Sequence, residues 1–185
     1  MAAIAHQPHL WTRAEYERLI ETGGLHPEAR LELIDGEILD MAPQKSRHST
    51  AVQLVNDTLR DLFGTGFTVR SQLPLALDDY SEPEPDVAVV TGSIRDYRDA
   101  HPTTALLIVE VADSSLEFDR GRKRALYGRN GIEEYWIVDV QTGCLEVHRD
   151  PQGDGYRQHR VLSAGDQIAP LHAADKLISV ADLLP

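Results

Sequence analysis

Asp86, Glu110 and Lys123 are the residues whose types and placing could do chemistry. Glu110 stands near the end of Ala105–Ala112, an eight-residue run that is otherwise apolar. A run this short and this apolar reads as a central strand covered on both faces. A lone carboxylate buried there is expensive unless it is paired or binds a metal. Asp86 opens a second apolar strand, Val87–Val90, and Lys123 lies on the helical segment that follows Glu110. Two strand-end carboxylates and a nearby lysine are the parts of a metal-dependent phosphodiesterase. Hard divalent cations such as Mg2+ take oxygen ligands, commonly one or two carboxylates with water and phosphate oxygens. Asp86 and Glu110 fit that role, and the backbone carbonyl of Val111 is a further candidate ligand. Cations held in this way activate water and stabilise charge developing on phosphorus. Lys123 would orient the attacking water or stabilise the phosphorane as a point charge.

Each residue alone has an ordinary reading. Asp86 follows a proline and could be a turn acid, Glu110 could pair with an arginine across the sheet, and Lys123 could be a solvated helix lysine. The functional case lies in the combination.

The elements that must position these residues follow from local signals. Thr12-Arg13-Ala14-Glu15 has capping-box spacing and predicts a helix from Arg13 to about Glu21. Asp35-Gly36 between Leu31–Ile34 and Glu37–Met41 predicts a hairpin. Ser46 begins a second helix reaching about Phe63, with Val52, Val55, Leu59 and Leu62 on one apolar face. Phe67–Leu77 reads as a strand, bent or at an edge near Pro74. Asp119 reads as the cap of a helix over Arg120–Arg129, and as a site residue only second. Tyr127, one turn beyond Lys123, either lines the same cleft or packs in the core. Tyr135–Val138, Cys144–Arg149 and Tyr156–Leu162 read as later strands. The order is that of a mixed α/β (α+β) domain, a central mixed sheet with helices on its faces.

The 185 residues are expected to form one domain with a sizeable core. The N-terminal stretch lacks a basic region followed by an apolar one, and a single cysteine, Cys144, excludes an internal disulfide. A cytoplasmic protein is expected. The net charge of −12 weighs against tight nonspecific DNA binding, although Arg120, Arg122, Lys123, Arg124 and Arg129 cluster locally. The eight histidines show no metal-ligand spacing, and His148 and His159 are expected to face each other or solvent. No Gly-rich phosphate loop, nucleophile elbow or zinc motif is present.

Several segments match a known family in order. They are Glu32-Leu33-Ile34-Asp35-Gly36-Glu37, His48, Pro85-Asp86-Val87-Ala88-Val89-Val90 and Leu107-Ile108-Val109-Glu110-Val111. Asp119-Arg120-Gly121-Arg122-Lys123 with Tyr127, and Gly131-Ile132-Glu133-Glu134-Tyr135-Trp136-Ile137-Val138-Asp139, complete the set. Together they resemble the Uma-two family of restriction-type endonucleases, in the PD-(D/E)XK nuclease superfamily. The resemblance covers about residues 31–149 and implies a restriction-endonuclease-like core. It further implies Mg2+- or Mn2+-dependent cleavage of DNA by a homodimer. Asp86 matches the motif aspartate and Glu110 the acid of the next strand. The superfamily lysine usually stands two residues after that acid, where this chain has Ala112; the family resemblance assigns it to Lys123. Glu32 matches an early acid that completes such sites. His48 matches a histidine that contacts phosphate or carries a proton, beside the plainer reading of a first-turn surface histidine. One departure is Ala112-Asp113-Ser114-Ser115 where the family has Ser-Pro, which adds a carboxylate, Asp113, near the site.

Two rivals stand beside the endonuclease. One is a catalytically inactive nuclease-fold interaction module, and the other is a structural homodimer whose acids form interface ion pairs.

Overall fold

The computed structural model describes residues 7–26 and 28–185. The first six residues, on which much of the reading of the N-terminus rests, lie outside the described residues. No helix among the described residues is long and apolar enough to cross a membrane.

Local chemistry sets the early elements as expected. Helix α1 (Arg13–Glu21) starts at a complete capping box, with Thr12 and Glu15 exchanging side-chain and backbone bonds. Strands β1 (Leu31–Ile34) and β2 (Glu37–Asp40) form a two-stranded hairpin. Its turn residues Asp35 and Gly36 have φ of 52° and 77°, the positive values that a tight hairpin turn demands. A Cβ at Gly36 would also lie 2.7 Å from Leu10 Cβ, so glycine is required twice over. Helix α2 runs over Ser46–Phe63 and buries Val52, Val55, Leu59 and Leu62 on one face.

The central sheet has six strands: β3 (Phe67–Arg70), β4 (Val87–Thr91), β5 (Leu107–Ala112), β6 (Glu134–Asp139), β7 (Cys144–Pro151) and β8 (Tyr156–Ser163). They lie side by side in that order, and every neighbouring pair is antiparallel except β5 and β6. That parallel pair needs a crossover, which is supplied by α3 (Leu116–Phe118), a π-helical turn (Asp119–Lys123) and α4 (Arg124–Arg129). The mixed α+β architecture is the one expected from the sequence.

Both faces of the sheet are covered. Val109, Val111, Trp136 and Val138 pack toward α2, while Ile108, Ala112, Tyr135 and Ile137 pack toward Leu126 and Tyr127 of α4. Side chains alternate along a strand, so Glu110 shares the second face with Ile108 and Ala112. It therefore points under the crossover helices and not toward α2.

The expected strand Phe67–Leu77 is shorter and ends at Arg70. Gln72 turns out of the strand with φ of 53°, and its N–H donates to the carbonyls of Pro85 and Asp86. The remainder packs on the proline loop, with the Leu75 N–H 2.9 Å from the Pro83 carbonyl.

Candidate active site

The register of β4 and β5 sets Val87 opposite Val109, so Asp86 arrives beside Glu110. The Asp86 N–H donates to Glu110 Oε2 at 3.4 Å, and the Val111 N–H donates to Asp86 Oδ2 at 2.8 Å. Both carboxylates are buried at the rim of a cavity of about 310 Å³ that also takes in Glu32, His48, Asp119 and Lys123. Every one of the six candidate residues, Val111 included, is thus brought to one locality.

Lys123 reaches this site from the π-helical turn. Its Nζ lies 3.0 Å from Glu110 Oε1 and 3.3 Å from Glu32 Oε2. Lys123 is 5 % exposed, so the solvated-lysine reading does not hold. Glu110 pairs with this lysine, and Tyr127 donates to the same Oε1 at 2.6 Å. Tyr127 is fully buried and packs in the core beside Leu126 and Tyr135, as one of its two readings has it; it does not line the cavity, and only its hydroxyl reaches the site, at Glu110. Glu32 is delivered by the β1–β2 hairpin, where Asp35 bonds both Arg122 and Arg129 and clamps the hairpin to the crossover segment.

His48 sits in the first turn of α2, and its Nε2 lies 3.0 Å from Asp86 Oδ1. An ionised carboxylate only accepts, so Nε2 is the donor. Gln72 Nε2 donates to the same oxygen at 3.1 Å. Sequence reasoning missed Gln72. Its signal is conformational, a non-glycine residue held at positive φ beside a site.

The electrostatics are those of a site with surplus negative charge. Burial pushes the Glu110 carboxyl up, with Asp86, Asp119 and Glu32 adding to the push, while the Lys123 ammonium 3.0 Å away opposes it and favours the ionised form. Burial likewise lifts Asp119 to about 6. Burial pulls the Lys123 ammonium down, but Glu110, Glu32, Asp119 and Asp86 outweigh it and hold the group firmly protonated. Asp86 is lifted by burial yet ends below its usual range, because His48 and the Val111 N–H favour its ionised form. His48 is raised, chiefly by its bond to Asp86. Four carboxylates thus share one ammonium and one imidazole. An all-oxygen donor set with unneutralised charge is what a hard divalent cation takes.

Three expectations change. Asp119 does not cap the helix: it lies within the continuous helical segment, is buried, and accepts from Ser115 Oγ at 2.6 Å while its charge acts on Lys123. Asp113 does not join the carboxylates, because Lys45 Nζ at 3.1 Å and the Gln141 amide hold it. The local basic cluster is largely neutralised: Arg120 binds Glu146, Arg122 binds Asp35 and Glu37, and Arg129 binds Asp35.

Fold and site together define a nuclease-like α+β protein with an acidic cleft. The sequence matches the Uma2 family, described as "Putative restriction endonuclease", over residues 13–180. The chain belongs to that family. No curated protein matches it. The fold is similar to a crystal structure described as "a putative nuclease belonging to DUF820" from Anabaena variabilis, with a TM-score of 0.71 and 19 % identity. The similarity covers 93 % of this chain and 96 % of that one.

Proposed function

We propose that the protein is a divalent-metal-dependent endonuclease that hydrolyses phosphodiester bonds in DNA. The observation that carries this reading is the meeting of Asp86 and Glu110 at paired strands, with the Lys123 ammonium 3.0 Å from Glu110. Membership of a family described as restriction endonucleases supports it.

Mg2+ or Mn2+ would be held by Asp86, Glu110 and the carbonyl of Val111. When bound, it supplies Lewis-acid stabilisation of charge on the phosphoryl oxygens. Lys123 orients the attacking water and offsets developing negative charge as a desolvated point charge. Glu32 and Glu110 hold that ammonium from two sides. Tyr127 fixes the Glu110 carboxylate, and Gln72 fixes that of Asp86. His48 donates to Asp86 and is the group suited to contact phosphate or carry a proton. Arg30, which lines the cavity, is an exposed cation able to meet DNA phosphates. With a net charge of −12, binding to plain duplex is expected to be weak and strongly salt-dependent. A homodimer working in the cytoplasm completes the reading, and light scattering of the purified protein tests the dimer.

The test of metal-dependent chemistry is direct. Chelated protein is incubated with supercoiled DNA, and with a matched RNA, in the presence of Mg2+, Mn2+ or EDTA. Nicking of DNA with either metal and none in EDTA is expected. Cleavage that persists in EDTA, or that is confined to RNA, contradicts the proposal.

A further inference from the structure

Glu110 lies opposite Ile137 on β6, and Ile137 lies opposite Glu146 on β7. Glu146 therefore shares the crossover-helix face of the sheet with Glu110, two strands away, or roughly 10 Å. It is equally buried, at 2 % exposed. Arg120 binds one of its oxygens, Oε1, and leaves Oε2 for other partners. His148, two residues along β7, shows the same face, and β8 sets His159 directly opposite His148. Glu146 Oε2 lies 3.3 Å from His159 Nε2 and 3.8 Å from His148 Nε2. The three ligand atoms all lie within 4.8 Å of one another.

Two features distinguish this cluster from a chance ion pair. The imidazole rings of His148 and His159 stack at 4.4 Å with only 6° between their planes, and Tyr135 stacks on His148 at 5.6 Å. The register Tyr135–His148–His159 thus holds the rings in place before any ligand arrives. His148 is 97 % buried, yet among the described residues neither of its ring nitrogens has a hydrogen-bond partner. An unpaired buried nitrogen is costly, and a ligand at Nε2 removes that cost.

The geometry points to a second cation site, built from Glu146, His148 and His159, that takes a borderline transition-metal ion of the Zn2+ class. Two imidazoles and one carboxylate form a donor set that zinc accepts with a fourth position open, whereas Mg2+ prefers oxygen alone. Arg120 and Arg124 stand near and oppose a cation. Arg120 is already matched by Glu146 Oε1, so the ligand oxygen keeps its lone pairs. The bound ion would tie the edge strand β8 to β7. In sequence the ligands are split between two strands, and only the hairpin register unites them.

Co2+ is the probe, because its visible bands are strong in a four-coordinate nitrogen-containing site and faint in an octahedral oxygen site. Chelated parent protein, His159→Ala and Glu110→Gln each receive one equivalent of Co2+. Strong bands in parent and Glu110→Gln, lost in His159→Ala and displaced by Zn2+, are expected. Bands absent from the parent, retained in His159→Ala or lost in a folded Glu110→Gln overturn the site. Should Glu110→Gln not fold, imidazole proton resonances of the parent decide: Zn2+ must shift those of His148 and His159 together at one equivalent. Shifts confined to other histidines overturn the assignment.

Discussion

Lys123 and Glu110 form a buried ion pair at 3.0 Å, and the same ammonium lies 3.3 Å from Glu32 on a separate hairpin. One cation therefore joins the central strand, the crossover and the outlying hairpin. Removing one partner of a buried pair leaves the other charge unpaired, which costs about 3–5 kcal/mol. Lys123→Met is expected to lose stability on that scale in urea denaturation and to abolish cleavage. Mg2+ should recover part of the loss, so it should raise the melting temperature of Lys123→Met more than that of the parent. Unchanged stability in the variant would show that the pair does not hold the site.

The surplus of carboxylates has its own consequence. A ligand that binds only the folded protein adds about 2.7 kcal/mol at a hundred times its Kd. Thermal melting of the parent should therefore shift upward with Mn2+. Asp86→Asn and Glu110→Gln should show little of that shift, because each removes a proposed ligand. An equal metal-induced shift in parent and variants would put the cation elsewhere.

Glu82 supplies a pH dependence away from the site. It is 4 % exposed, and its Oε2 lacks a hydrogen-bond partner among the described residues. Burial, with Glu17 beside it, pushes its carboxyl up to about 7. The folded protein thus holds this proton more tightly than the unfolded chain does. Stability is highest while Glu82 is protonated and falls as pH rises from the usual glutamate range, about 4.3, through about 7. At about 1.36 kcal/mol per pKa unit the loss reaches roughly 3–4 kcal/mol above neutrality. Glu82→Gln should remove this slope and be more stable than the parent at pH about 8, by urea denaturation across pH. Parallel pH profiles for parent and variant would contradict it.

Gly128 packs on the turn between β7 and β8. A Cβ there would stand 2.5 Å from the Gly155 carbonyl oxygen and 2.8 Å from its nitrogen, and backbone cannot give way as a side chain can. Gly128→Ala is expected to cost about 1–3 kcal/mol, the range for overpacking. Because Tyr127 and Lys123 ride the same segment, cleavage should fall as well. A variant of parental stability would show that the turn moves freely.

Local chemistry was the legible part of the chain. The Thr12 capping box, the Asp35-Gly36 turn and the apolar stripe of α2 each name their element within a few residues, and the structure follows them. Glu110 stands out because a charge in apolar company is expensive, Asp86 because it opens the next apolar strand, and Lys123 because it lies on the helical segment that follows Glu110. What stayed hidden depends on distant segments. The Phe67–Leu77 strand breaks where Gln72 bonds the Pro85–Asp86 backbone, a partner outside its own sequence window. The basic cluster looked free because its carboxylates, Asp35, Glu37 and Glu146, come from three other strands and turns. Glu146, His148 and His159 show no motif because strand register, and not spacing, gathers them.

Cleavage of supercoiled plasmid in Mn2+ by the parent and by Glu110→Ala, purified identically and both shown to be folded, tests the central claim most directly. Nicking by the parent and none by the variant is the predicted result. Equal nicking by both, or none by either, would contradict a nuclease centred on Glu110.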